Sequence, residues 1–234
     1  VDPSLCNSCG ECSRACQYNA IVALKTRPIV FPTLCHGCGG CVQACPENAI
    51  VEGIREIGTI ESGVGRHVEF VQGRLDVGQT LSPPLIRAVK RHSISDGVTI
   101  IDCPPGTSCP VIASVKGSDY VVLVTESTPF GLHDLRLAVE TMRTLDLNFG
   151  VVINRVIASD RRVIDYCRSE QIPVLAEIPD DQRAAVAYSC GQLIVEAVPE
   201  LRELFESLCR RIMLEIGKKR KRTELTEERA VGTA

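Results

Sequence analysis

Cys6-Asn7-Ser8-Cys9-Gly10-Glu11-Cys12-Ser13-Arg14-Ala15-Cys16 and Cys35-His36-Gly37-Cys38-Gly39-Gly40-Cys41-Val42-Gln43-Ala44-Cys45-Pro46 are two copies of one pattern, C-x2-C-x2-C-x3-C. The repeat runs past the cysteines. Ala15-Cys16-Gln17-Tyr18-Asn19-Ala20-Ile21-Val22 returns 29 residues later as Ala44-Cys45-Pro46-Glu47-Asn48-Ala49-Ile50-Val51, which reads as a duplicated half-module.

The spacing carries its own chemistry. Three thiolates two residues apart wrap one face of an iron-sulfur cubane, and the fourth lies too far along the chain to close the same cube. This is the bacterial two-cluster ferredoxin spacing, in which the fourth cysteine crosses to the other cluster. Cys6, Cys9, Cys12 and Cys45 are therefore assigned to one 4Fe-4S cluster, and Cys35, Cys38, Cys41 and Cys16 to the other. Gly10, Gly37, Gly39 and Gly40 let backbone amides approach the cluster sulfurs. Gln17 departs from the pattern, standing where the second run has Pro46. Structural zinc prefers paired C-x2-C knuckles and fits two threaded quartets poorly, as does a disulfide framework.

The chain of 234 residues has room for a small cysteine module and a larger domain with its own core. Hydrophobic content of 44% with 24% charged residues is ordinary for a globular protein. A net charge of −3, 4% aromatics and no Trp argue against a nucleic-acid partner. No apolar run has bilayer length and Val1-Asp2-Pro3-Ser4 lacks the pattern of a secretory signal, so no membrane partner and a cytoplasmic location are expected. Of the remaining cysteines, Cys167, Cys190 and Cys209 read as small apolar residues in helices, while Cys103 and Cys109 flank a motif taken up below.

Residues 1–52 read as the cluster module, 53–216 as an α/β domain and 217–234 as a disordered charged tail. Residues 53–65 read as a hairpin connector. Short apolar runs at 67–71, 98–101, 120–125, 149–153 and 174–178 predict strands, and 84–91, 111–116, 132–145, 161–170, 181–189 and 199–216 predict helices. Strands apolar throughout are buried on both faces, which predicts a largely parallel sheet sandwiched by helices. Thr128 is placed to N-cap the helix that Pro129 opens.

In such a sheet, ligands bind beyond the carboxyl ends of the strands. Asp102-Cys103-Pro104-Pro105-Gly106-Thr107, Asn154-Arg155, Pro179-Asp180-Asp181 and Thr125-Glu126-Ser127-Thr128-Pro129 all follow predicted strands. An acidic residue suits a magnesium-bound water, a glycine amide suits a terminal phosphate, and an amide side chain has the donor and acceptor that a purine edge requires. At these residues the chain resembles the deviant P-loop ATPases of the MinD/Mrp superfamily. The resemblance extends to the branch with an inserted dicluster ferredoxin domain, through His36-Gly-Cys-Gly-Gly-Cys, Phe70-Val-Gln-Gly-Arg-Leu, Gly106-Thr-Ser-Cys-Pro and Thr128-Pro-Phe-Gly-Leu-His-Asp. It implies an incomplete doubly wound, mainly parallel P-loop NTPase-like sheet preceded by a small α+β ferredoxin-like domain. It also implies ATP and Mg as ligands, with Asp102, Gly106 and Thr107 near the γ-phosphate, Asn154 and Arg155 at adenine, and Pro179 and Asp180 bordering the base.

Family members place a strand, a glycine-rich phosphate loop, a helix and a second strand ahead of the ferredoxin insertion. The sequence contains no G-x-x-x-x-G-K-S/T and begins at Val1. A fragment or truncated reading frame is expected, with weak ATP binding and no hydrolysis by the chain as written. The expected function is electron transfer by an iron-sulfur protein, with a redox partner protein and, from the resemblance, a homodimer. The alternative is an iron-sulfur cluster assembly or delivery ATPase, for which Cys103 and Cys109 would matter.

Overall fold

The structure, a computed structural model, describes residues 1–65, 68–94, 96–156 and 159–231, with side chains described as far as residue 217. The chain falls into two units, Val1–Thr99 and Ile100–Ala234, where the sequence pattern sets a boundary after residue 52.

In the first unit each cysteine run ends in a short helix entered through a left-handed glycine. Gly10 (φ 82°) opens α1 (Glu11–Ala15), and Gly39 (φ 73°) opens α2 (Gly40–Gln43). A side chain at such a φ is strained, so the motif needs glycine there. Strands β1 (Ile21–Val22) and β2 (Ile29–Val30) pair antiparallel. The buried residues of this part, among them Cys12, Ala20, Ile21 and Ala49, are mostly small, as expected where a bound group takes the place of an apolar core.

Strands β3 (Gly58–Gly65) and β4 (Val68–Leu75) form an antiparallel hairpin, and helix α3 (Pro83–Lys90) packs on it. Gly73 makes that packing feasible: a Cβ there would lie 2.8 Å from Leu85 and 2.9 Å from Val89. The strand expected at 67–71 is thus a hairpin partner of β3 and no member of the parallel sheet, and its first residue, His67, lies outside the described residues. So short a connection forces antiparallel pairing, because a parallel pair needs a crossover of a dozen or more residues. The strand expected at 98–101 does not form. Val98 is 61% and Ile100 89% exposed, and no described strand runs alongside to supply a ladder, without which β-branched residues have little strand preference.

The second unit is built on a parallel sheet of order β5-β6-β7, from β5 (Val121–Glu126), β6 (Phe149–Val156) and β7 (Val174–Pro179). Central β6 is covered on both faces, with Val151, Val152 and Ile153 buried, whereas β5 at the sheet's edge leaves Val124 65% exposed. Helices α4 (Cys109–Val115), α5 (Pro129–Thr144) and α6 (Arg162–Ser169) supply the core. Leu135 and Val139 of α5 and Val163 and Cys167 of α6 pack on Val151 and Ile153, while Met142 packs with Val111, Val115 and Val121. Thr128 caps α5 as expected, its hydroxyl accepting the Gly131 N–H at 3.0 Å.

Helix α7 (Gln182–Ser189) and the unforeseen one-turn α8 (Ile194–Ala197) lead to α9 (Pro199–Val231). The last helix therefore continues through residues 217–231, where a disordered tail is expected. Between Lys218 and Val231 there is neither Pro nor Gly, and Lys, Arg and Glu lose little side-chain freedom in a helix. Among the described residues no helix is long and apolar enough to cross a membrane.

Two measurements probe this core. A methyl on Gly150 would lie 2.6 Å from Tyr120 Oη and 2.8 Å from Leu175, so Gly150→Ala is expected to cost about 1–3 kcal/mol in chemical denaturation. Burial pushes the Cys167 thiol from its ordinary 9.0 up to about 11. Its contribution is therefore complete below about pH 9 and is lost as pH rises through about 11, so the denaturation midpoint should fall over that window, and less so in Cys167→Ala.

Candidate functional site

The two cysteine runs fold as near copies. Ala20 N–H donates to Cys16 Sγ at 3.3 Å and Ala49 N–H to Cys45 Sγ at 3.3 Å. Asn19 and Asn48 take up φ of 51° and 49°, and Ser8 and Gly37 of 59° and 61°. The halves also interlock, since Asp2 N–H donates to Ala49 O and Phe31 N–H to Ala20 O, both at 2.7 Å.

This interlock carries the fourth cysteine of each run across. Cys6, Cys9, Cys12 and Cys45 line one cavity together with Asn7, Gly10 and Glu47. Burial pushes the thiols of Cys12 and Cys41 up, and nearby thiolates add to the effect: Cys9 and Cys45 beside Cys12, Cys35 and Cys16 beside Cys41. At Cys16 burial acts in the same direction, but the N–H groups of Tyr18, Ala20, Ile21 and Asn19 together outweigh it and bring the thiol down. Cys38 sits on the loop of its run, its Sγ 3.7 Å from where a Cβ of Gly40 would lie.

The donor set fits a polynuclear cluster. Cys6, Cys9, Cys12 and Cys45 line one cavity, and backbone N–H groups donate to the sulfurs of Cys16 and Cys45, the hydrogen bonding that cluster sulfur ligands take.

The expected nucleotide residues fall into two groups. Asn154, Arg155, Pro179 and Asp180 gather at the carboxyl end of the sheet. The β6–β7 register slips between Ile153 and Val156, and Arg155 stands in the left-handed region at φ 51°. Its guanidinium reaches Asp180 at 3.2 Å and Glu126 at 3.6 Å, so one side chain ties together the ends of β5, β6 and β7. Asp180 first, then Glu126, holds Arg155 firmly protonated. Asp102, Gly106 and Thr107 lie instead on the exposed loop before α4, without the strand that would precede them; Gly106 has φ 93°.

Sequence reasoning placed Glu126 at a strand end without giving it a role, and it passed over two contacts beside the cysteines: the Asn7–Glu47 hydrogen bond at 2.9 Å and a Tyr18–His36 ring stack. Their only signal is the 29-residue offset, which makes Asn7 equivalent to His36 and Glu47 to Tyr18.

Residues 5–50 match the family described as 4Fe-4S dicluster domain. The N-terminal part of the chain is thus similar to dicluster ferredoxin domains. An uncharacterized protein of Methanocaldococcus jannaschii is 38% identical over 153 residues, covering 64% of this chain and 53% of the relative. A second uncharacterized protein of the same organism is 26% identical over 141 residues, covering 59% and 49%. The chain thus spans about half the length of the curated relatives it matches. The crystal structure of the Pyrococcus furiosus cell division ATPase MinD superposes with a TM-score of 0.50 at 24% identity, covering 60% of this chain and 62% of that one. The likeness shows a MinD-like α/β fold.

The symmetry of the ferredoxin domain is open to a direct check. Asn19 and Asn48 hold matching left-handed positions, where Asn is tolerated and Ala is not. Asn19→Ala and Asn48→Ala should each lower the thermal stability of the cluster-loaded protein by about 1–2 kcal/mol, with equal effect at the two positions.

Proposed function

We propose that this chain carries electrons through two 4Fe-4S clusters, and that in the protein containing it nucleotide binding is coupled to redox change or to docking on a partner. The crossing of Cys45 into the cavity of Cys6, Cys9 and Cys12 carries the reading, since only two mutually closed clusters require it. Each cluster supplies a one-electron couple when bound. The chain's own part is to hold the irons with eight thiolates and to aim the N–H groups of Ala20, Ala49 and Gly37 at ligand sulfurs, which favours added negative charge.

Residues 1–52 are the proposed cluster module and the α/β part after them the nucleotide domain. ATP with magnesium is the proposed ligand, with Asn154 at the base and Asp102, Gly106 and Thr107 toward the terminal phosphate. A protein is the proposed redox partner and the cytoplasm the proposed location, where reducing conditions keep thiolates unpaired. The exposure of Cys103 and Cys109 favours a second reading, delivery of a cluster to another protein.

Anaerobic reconstitution with iron and sulfide should give ~8 irons per chain, the content of two 4Fe-4S clusters. Cys16→Ala should leave the same remaining cluster signal as Cys38→Ala, and Cys45→Ala the same as Cys9→Ala. The opposite grouping, Cys16 with Cys9, would overturn the crossed assignment. Loss of iron to an apo-ferredoxin acceptor would replace the carrier by the delivery factor. For the nucleotide part, calorimetric titration with magnesium and ATP should show weaker binding in Asn154→Ala, and equal affinities would remove Asn154 from the site.

A further inference from the structure

The two halves of the ferredoxin domain agree closely in backbone conformation, so any difference between their metal sites arises from side chains at matched positions. Two matched positions differ in kind. At the site of Cys6, Cys9, Cys12 and Cys45, the Asn7 side chain donates to Glu47 Oε1 at 2.9 Å, and its Oδ1 accepts the Cys9 N–H at 3.0 Å. At the site of Cys35, Cys38, Cys41 and Cys16, the rings of His36 and Tyr18 stack with centroids 3.6 Å apart and planes within 6°. The Gly37 N–H there donates to Cys35 Sγ at 3.4 Å.

Charged groups stand at both sites: Glu47 lies beside the first, with Arg14 near it through Cys9 O and ion-paired to Glu11, while Glu52 approaches Gly39 at the second and Arg55 donates to Pro32 O, the carbonyl that also accepts the Cys35 N–H. Hydrogen bonding and exposure both favour the second site, as does the Arg55 cation. Reduction adds negative charge, which N–H dipoles and water stabilise. At the first site Asn7 engages the Cys9 N–H, and at the second the Gly37 N–H reaches the sulfur of the ligand Cys35. Cys12 is buried where its counterpart Cys41 is half-buried, and Cys6 is half-buried where Cys35 is exposed.

Building on the two-cluster reading, we propose that the two sites are inequivalent. The site of Cys35, Cys38, Cys41 and Cys16 accepts the first electron, with Tyr18 and His36 as the positioning residues that set the difference. The step is the gain of one electron from a low-potential one-electron donor, with no bond made or broken and no proton moved.

The test is a potentiometric titration of the cluster-loaded full chain with dithionite, followed by electron paramagnetic resonance. Two separable reduction steps are expected. The double variant Tyr18→Glu/His36→Asn, which installs the first site's pair at the second, should lower the upper step and leave the lower one in place. Asn7→His/Glu47→Tyr should raise the lower step, and the milder Glu47→Gln should raise it less. A residue that merely supports the fold would reduce iron content without shifting either step. A single unresolved step at full iron content, or a Tyr18/His36 variant that moves the lower step, overturns the proposal and leaves the two-cluster reading standing. An iron content near four per chain, the content of one cluster, overturns both.

Discussion

A cysteine sulfur that accepts the backbone N–H four residues ahead organises the ferredoxin domain. Cys16 Sγ takes the Ala20 N–H and Cys45 Sγ the Ala49 N–H, and the carbonyls of those same alanines accept from Phe31 and Asp2 of the opposite half. Sulfur position and half-to-half pairing are thereby set by the same residues. The left-handed Asn19 and Asn48 turn the chain back at the point where this happens. Little apolar burial is needed to hold the arrangement, because metal–thiolate bonds contribute folding free energy directly.

The second unit is stabilised differently. Its centre is a strand with both faces covered, β6, and its specificity lies in close approaches that admit only glycine. A Cβ on Gly131 would lie 2.4 Å from Glu126 O, and one on Gly150 would meet Tyr120 and Leu175. At the carboxyl end of the same sheet, one arginine in a strained backbone conformation engages two carboxylates from the neighbouring strands. A bulge that re-aims side chains beside such a network is a common way of presenting polar groups at a sheet's end. Arg155 is occupied by Asp180 and Glu126, which makes it a brace for that end of the sheet.

Much of this was legible in the residues themselves. Cysteine spacing pointed to the dicluster domain that residues 5–50 match, because covalent geometry limits how thiolates two residues apart can be arranged, whatever the rest of the chain does. The runs at 120–125, 149–153 and 174–178 became strands within a residue or two of their expected bounds, except that β6 ran on to Val156. Thr128 and Pro129 announced α5 through local hydrogen bonding and a fixed φ. The misses share one cause. Residues 98–101 have the composition of a strand but no ladder partner, and 67–71 pair with the hairpin strand just before them. Strand propensity is a property of a neighbourhood, and a single sequence does not say which neighbours are present.

The sequence by itself determined the cysteine spacing, the duplication, the parallel character of the sheet and the helix starts, because each depends on covalent spacing or on contacts a few residues apart. Only the tertiary structure decided that Asn7 meets Glu47 while Tyr18 meets His36, that Glu126 joins Arg155 and Asp180, and that Asp102 lies on an unpaired loop. Those outcomes bring together residues from roughly 18 to 40 positions apart, or turn on whether a neighbouring strand is present. Their physical basis is the packing of one element on another, which local pattern does not encode.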